Sequence, residues 1–341
     1  MTPVRATARL QLHAGFTLAD AERQVDYYAA LGISHLYLSP IWRAVPGSTH
    51  GYDVVDPTRI NPELGGEPAL RRLVAALRAQ RMGLILDIVS NHMAVGGADN
   101  PWWLDLLEWG RLSPYSEFFD IQWHSTDPLL EGQLLVPFLA SDYGASLQAG
   151  DLQLCFQARD GSFFVRHHEH RFPICPRDYG LILSRSEHTS VQALAGRFSA
   201  LPNTRQASDL AAQLQQALAT LARQIPFDQM LTEFDGCTSA GFARLHDLLE
   251  RQAYRLASWR TAADDINWRR FFDINELGGL RVERHAVFEA THEKIFALIA
   301  NGLVDGLRID HIDGLADPRG YCRKLRRRVD ALLARRPLNA A

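Results

Sequence analysis

The sequence predicts an α/β fold whose parallel strands are joined by helical crossovers. Three observations predict it. Strand-like runs over 5–13, 33–38 and 82–89 alternate with helix-patterned segments over 18–31 and 67–81. That order, strand then helix then strand, reads as a parallel sheet. The 82–89 run, MGLILDIV, is almost continuously apolar, as a strand covered on both faces is. The side chains suited to chemistry cluster at or just past the strand ends, where such sheets place their functional groups.

Each element follows from local pattern. Residues 5–13 alternate, with Leu10 and Leu12 on one face, until Gly15 interrupts. Thr17 is a helix cap for 18–31, where Val25, Tyr28 and Leu31 have helical spacing and Gly32 follows. Ser39 and Pro40 stop the 33–38 strand, and 42–66 reads as a loop rich in Gly, Pro and polar residues. The 67–81 helix has Leu70, Leu73, Val74 and Leu77 as its apolar face. About 200 residues then separate the 82–89 strand from an apolar, buried-looking strand over 304–309. That is too long for a simple connection, so it holds folded insertions. Within it, 102–183 has short strand-like pieces and many aromatics, while 191–223 and 243–259 read as helix. Helices over 286–301 and 319–336 flank the 304–309 strand. The division expected is 1–92, an inserted 93–282, and a return over 283–341.

Composition narrows the function classes. A net charge of −3 gives no bulk attraction to nucleic acid or anionic membrane. The last helix carries Arg323, Lys324, Arg326, Arg327, Arg328, Arg335 and Arg336, but Leu325, Val329, Leu332 and Leu333 form an apolar stripe beside them. The basic residues then read as the solvated face of a packed helix. Cys155, Cys175, Cys237 and Cys322 lie far apart with no C-x-x-C, which points to reduced thiols in a cytoplasmic protein rather than a zinc site or disulfide framework. No apolar run follows Arg5 and Arg9 as in a signal peptide, and none is long enough to span a bilayer.

Three constellations carry candidate chemistry. Arg308 and Asp310 are two apart on a strand, hence on one face. A guanidinium there keeps the carboxylate ionised, as a nucleophile for sugar chemistry requires. Taken alone, such a pair is more often a structural ion pair. Asp87 lies inside an apolar strand, so it needs partners, and Asn91 and His92 follow that strand's end. His50, Tyr52 and Asp53 lie in the loop after the second strand, where a tyrosine ring can lie against the apolar face of a sugar.

Together, Gly51-Tyr52-Asp53, Asp87-x-x-x-Asn91-His92 and Gly306-x-Arg308-x-Asp310 resemble the α-amylase superfamily of retaining glycoside hydrolases and transglycosylases. The strings QLHAGFT (11–17), SPIWRAVPGSTHGYD (39–53), LHDLLERQAYRLASWR (245–260) and NWRRFFDINEL (267–277) narrow this to a resemblance to the maltooligosyl trehalose synthase family. The resemblance implies a (β/α)8 TIM-barrel catalytic domain, of which about four βα units are present, with a large insertion after the third strand. It implies Asp310 as nucleophile, Arg308 holding it ionised, Tyr52, Asp53, His92, His50 and His311 binding substrate, and Asp87 and Asn91 bracing the site. Many amylases carry Lys-His shortly after the nucleophile, where Asp313 and Gly314 stand here; this argues against plain starch hydrolysis.

The implied reaction turns the reducing-end glucose of a maltooligosaccharide into an α,α-1,1 (trehalose) end. It requires no cofactor and no metal, since Asp87 and Asn91 alone make no oxygen cage. Water must be excluded, and Trp102, Trp103, Trp109, Phe118, Phe119 and Trp123 are either a lid or, as large aromatics usually are, a subdomain core. The family's acid, a glutamate ending the fifth strand, has no counterpart; Glu276, Glu283, Glu289 and Glu293 all precede the nucleophile. The expectation is a truncated chain, inactive alone, with a maltooligosaccharide ligand and a complementary C-terminal fragment as partners. The alternatives are another α-glucan hydrolase or glucosyltransferase, or a non-catalytic glucan-binding remnant.

Overall fold

The computed structural model describes residues 3–125 and 127–334. They fall into two units, Met1–Val95 with Arg270–Ala341, and Gly96–Arg269.

The first unit begins with β1 (Thr7–Leu10), α1 (Leu18–Arg23), α2 (Val25–Ala30) and β2 (His35–Leu38). The backbone N–H and hydroxyl of Thr17 both donate to Asp20 Oδ2 at 2.7 Å, which ties down the helix start. The single helix expected over 18–31 is instead broken at Gln24. Val25 is the buried residue of α2, and Leu31, expected on the same apolar face, is 59% exposed. β3 (Trp42–Ala44) and β4 (Val54–Ile60) pair antiparallel inside the segment expected to be loop. Val54, Val55 and Ile60 are buried there, so a β-branched run overrode the turn composition around it. α3 (Gly66–Ala79) buries Leu70, Leu73, Val74 and Leu77 and leads to β5 (Gly83–Val89) and β6 (His92–Ala94).

The second unit contains α4 (Pro101–Trp109), β7 (Leu134–Leu139), α5 (Tyr143–Gln148) and an antiparallel sheet of β8 (Gln153–Gln157), β9 (Ser162–His167) and β10 (His170–Pro173). Then come α6 (Tyr179–Leu183), α7 (Thr189–Ser199), α8 (Ala207–Leu221), α9 (Asp228–Thr232), α10 (Ser239–Leu249), β11 (Tyr254–Ser258) and α11 (Ala262–Asp265). The helix expected over 243–259 stops at Leu249; Tyr254, Leu256 and Ser258 bury alternately and β11 pairs parallel with β7. The burial there has a two-residue period, not a helical one. Trp102, Trp103, Trp109 and Phe119 are buried, and the Trp103 ring packs edge-on against Phe119 and Trp268 at 5.1 and 5.3 Å. Phe118 meets the Trp102 ring at 5.1 Å, and Trp123 Nε1 donates to the Ser116 carbonyl. These aromatics pack within the second unit.

The chain returns to the first unit through β12 (Arg270–Phe271), β13 (Ile274–Gly279), α12 (His285–Ala300), β14 (Gly306–Asp310) and α13 (Pro318–Leu333). β12 and β13 form a hairpin, and β13 pairs antiparallel with β6. This pairing puts 270–282 with the first unit, not with the insertion. The main sheet has the order β1-β2-β5-β14, all parallel and in chain order. Leu36, Leu38, Leu84, Leu86 and Ile88 are buried in it, each contributing about 1.5–3 kcal/mol of hydrophobic stabilisation. This is the layout of consecutive βα units; the described residues do not close it into a barrel.

β14 is partly exposed rather than buried, with Arg308 its most exposed residue, because it has one strand neighbour among the described residues. On α13, Arg326 pairs with Asp330 and Arg328 with Glu289, and Lys324 sits 4.0 Å from the centre of the Phe288 ring. Arg335, Arg336 and the tail 337–341 lie outside the described residues. No helix among the described residues is long and apolar enough to cross a membrane.

Candidate active site

Strand register assembles the site. β14 sets Arg308 opposite Asp87, and β1 sets Arg9 opposite Tyr37, which pairs with Ile85 two residues before Asp87. Residues two apart on a strand share a face, so Arg9, Tyr37, Asp87, Arg308 and Asp310 project from the same side of the sheet. Arg308 Nη1 donates to Asp87 Oδ1 at 3.0 Å, to Asp87 Oδ2 at 3.1 Å and to Asp310 Oδ1 at 2.6 Å. The hydroxyls of Tyr37 and Tyr52 each donate to Asp87 Oδ2 at 2.7 Å. Arg9 Nη2 donates to Tyr52 Oη at 3.2 Å and to Gln11 Oε1 at 3.0 Å.

The electrostatics follow from burial. The Asp87 side chain is 0% exposed, and a carboxylate so deep has to be met by donors; here a guanidinium and two phenols meet it. Burial, and then the hydrogen bond to Asp87, push the Tyr37 hydroxyl up to about 12, and the same causes raise Tyr52. Both tyrosines therefore remain donors at neutral pH. Burial alone would lower the Arg308 pKa, but its bonds to Asp87 and Asp310 raise it. The hydrogen bond to Tyr52 raises Arg9 in turn. Asp310, 17% exposed at its side chain, is thus a charge-paired carboxylate at a strand end with an accessible face. Asp87 has both its oxygens engaged.

Tyr52 is held by its turn. Gly51 has φ +78°, and a Cβ there would come within 2.7 Å of the Pro40 carbonyl oxygen, so only glycine fits. The Tyr52 backbone N–H donates to His50 Nδ1 at 3.0 Å, and their rings lie 6.0 Å apart, nearly stacked. Asp53 accepts from the Ser48 hydroxyl at 2.5 Å and lies 3.7 Å from His50; it fixes the turn.

Past β5, the Asn91 carbonyl accepts from the Leu280 backbone N–H at 2.8 Å. Expected to reach a substrate hydroxyl, His92 is instead 1% exposed, with the Phe271 ring 4.2 Å from its own. The β12–β13 hairpin covers it. His311, next to Asp310, packs its ring against Phe271 at 4.8 Å and Phe272 at 5.2 Å. Arg9, Tyr37, Phe271 and Phe272 were not singled out from the sequence. The first two were findable as same-parity positions on parallel strands. The last two stand inside the 267–277 string, which carries no signal of where its loop folds. Among the described residues no three His, Cys, Asp or Glu side chains converge to hold a metal ion.

The α-amylase catalytic-domain profile matches residues 17–165. A Mycobacterium tuberculosis protein assigned as a maltooligosyl trehalose synthase is 39% identical over 338 residues, covering 95% of this chain and 33% of that protein. The intracellular maltogenic amylase of Bacillus subtilis is 37% identical over 98 residues, 29% of this chain and 16% of that one. Among solved structures, maltooligosyltrehalose synthase from Arthrobacter ramosus superposes with a TM-score of 0.68 at 34% identity, covering 95% of this chain and 33% of its own. Another crystal structure of a maltooligosyl trehalose synthase gives 0.69 at 31% identity, covering 96% and 34%. By sequence and by fold, the chain is similar to maltooligosyl trehalose synthases and, over 17–165, to the α-amylase catalytic domain, and it spans about a third of the length of the synthases it matches.

Proposed function

We propose that this chain carries the nucleophile side of an intramolecular transglucosylation, the conversion of a maltooligosaccharide's reducing end into a trehalose end. The observation that carries the reading is the Arg308 guanidinium shared between buried Asp87 and accessible Asp310. We read the four parallel strands as consecutive units of a (β/α)8 barrel with this pair at their C-terminal ends.

Asp310 attacks the anomeric carbon on the non-reducing side of the terminal α-1,4 bond. That bond breaks, the glycosyl group is held as an ester on Asp310, and the departing O4 takes a proton from an acid. The freed glucose turns, and its 1-hydroxyl attacks the same carbon, returning its proton to that acid. Two inversions give an α,α-1,1 linkage with no net gain or loss of atoms. The acid is a second carboxyl, about 5–5.5 Å from the nucleophile in retaining enzymes. Asp87 does not serve, because Tyr37, Tyr52 and Arg308 already occupy its oxygens. The acid belongs to protein that completes the barrel, in the same polypeptide or as a complementary fragment. Tyr52 presents its ring to the sugar, with His50 and His311 beside it; Asp53, Asn91 and the covered His92 hold the loops. The free thiols of Cys155, Cys175, Cys237 and Cys322 suit a reducing, cytoplasmic setting.

The test is incubation of the chain, together with the protein that completes the barrel, with maltopentaose beside Asp310→Asn, following reducing ends. The reading expects reducing ends to fall without release of glucose, and the substitution to abolish this. A rise in reducing ends would make the chain a hydrolase, and activity unchanged by Asp310→Asn would remove Asp310 from the chemistry.

A further inference from the structure

His311, which follows Asp310, and Phe272, which touches the His311 ring, share an unusual backbone. Four non-glycine residues among those described have positive φ: Arg81, His168, Phe272 and His311. Phe272, at +50°, and His311, at +46°, are in ring contact at 5.2 Å. Phe272 also occupies the tight turn between β12 and β13, where Phe271 pairs with Ile274. Such turns favour glycine or asparagine, because their central residues need positive φ. A bulky residue there is an outlier that the surroundings must hold in place. Packing does not account for the choice, since Phe272 is 70% exposed. Its neighbour Phe271 supplies the anchoring, with its ring 4.2 Å from His92, 4.8 Å from His311 and 4.6 Å from Phe272. The hairpin therefore packs one half-buried phenylalanine and displays the next, against the residue that follows Asp310.

We propose that Phe272 and His311 form a stacking wall for the glucose ring bound next to Asp310, making Phe272 a specificity-determining residue of this site. The inference rests on the glucan reading above. A pyranose offers an apolar C–H face that an exposed aromatic ring covers, and its rim hydroxyls fall to groups like the His311 imidazole. The wall also shields Asp310 from water on that side, which transfer requires over hydrolysis.

The test measures maltopentaose affinity by isothermal titration calorimetry on the full chain, for wild type, Phe272→Trp and Phe272→Asn, with a thermal melt of each. Asparagine suits the turn but has no ring. Phe272→Asn is expected to melt at or above the wild-type temperature yet bind about tenfold more weakly, while Phe272→Trp binds within about threefold of wild type. Wild-type binding with Phe272→Asn binding equally well would overturn this inference and leave the glucan reading standing. No binding by the wild type would overturn the glucan reading and this inference with it.

Discussion

Replacing Arg308 with methionine removes the group on which both carboxylates depend. The volume is roughly kept, so the change tests charge and hydrogen bonding. Removing one partner of a fully buried pair costs about 3–5 kcal/mol. Two features reduce that here: the Arg308 side chain is 44% exposed, so solvent screens it, and Asp87 keeps Tyr37 and Tyr52 as donors. The expected cost is about 2 kcal/mol. The chain has two units, so a readout confined to the site's own strands separates its opening from that of the other unit. Amide hydrogen exchange across Gly83–Val89 and Gly306–Asp310 reads the site's own opening. Arg308→Met should speed that exchange about 30-fold. Asp87→Asn made on top should recover part of the loss, because it removes the uncompensated buried charge. Unchanged exchange in Arg308→Met, or a double variant as unstable as the sum of the two singles, would refute the reasoning.

Other consequences follow from neighbouring groups. Tyr37→Phe deletes one of the two phenol donors to Asp87 and should cost about 1–2 kcal/mol, read by exchange across the same strands. Gly314 lies where a Cβ would strike the His311 imidazole and come within 3.0 Å of Asn91 Oδ1. Gly314→Ala should therefore displace His311 and cost about 1–3 kcal/mol, with weaker maltopentaose binding in calorimetry. His292 is buried, with Nε2 2.7 Å from Tyr321 Oη, itself 2.6 Å from Ser90 Oγ, and burial lowers its pKa to about 4. The unfolded chain, with a histidine near 6.5, then binds the extra proton first. Stability from this group is complete above about pH 6.5 and is lost as pH falls toward 4, by about 3 kcal/mol in all. His292→Phe should remove that slope from a series of urea midpoints against pH. An unchanged slope would mean that His292 titrates normally.

The parts of the fold legible in the sequence were those in which local pattern and burial agree. The apolar run around Asp87 and the stripe of Leu70, Leu73 and Leu77 became β5 and α3 nearly as read. The Arg308–Asp310 pair was legible because two residues on one strand need no knowledge of tertiary structure. Tyr37 and Arg9 were not, since their roles depend on inter-strand register. β11 was lost because Tyr254, Leu256 and Ser258 follow a helical segment without a break strong enough to signal the change of period. The β3–β4 hairpin hid behind a composition rich in turn residues. Leu31 misled because helical spacing alone does not say which turn of a helix meets the core. Phe272 did not stand out in the sequence because its exposure, not its type, sets it apart.

The central claim is that Asp310 is a nucleophile, and trapping its ester tests this most directly. A 5-fluoro-α-maltosyl fluoride needs no proton on its leaving group, so it reports the nucleophile whether or not an acid is at hand. After incubation, intact mass and peptide mapping should find one glycosyl adduct, on the peptide containing Asp310, and none in Asp310→Asn. An adduct on another carboxylate, or none at all in protein that binds maltopentaose, would contradict the account.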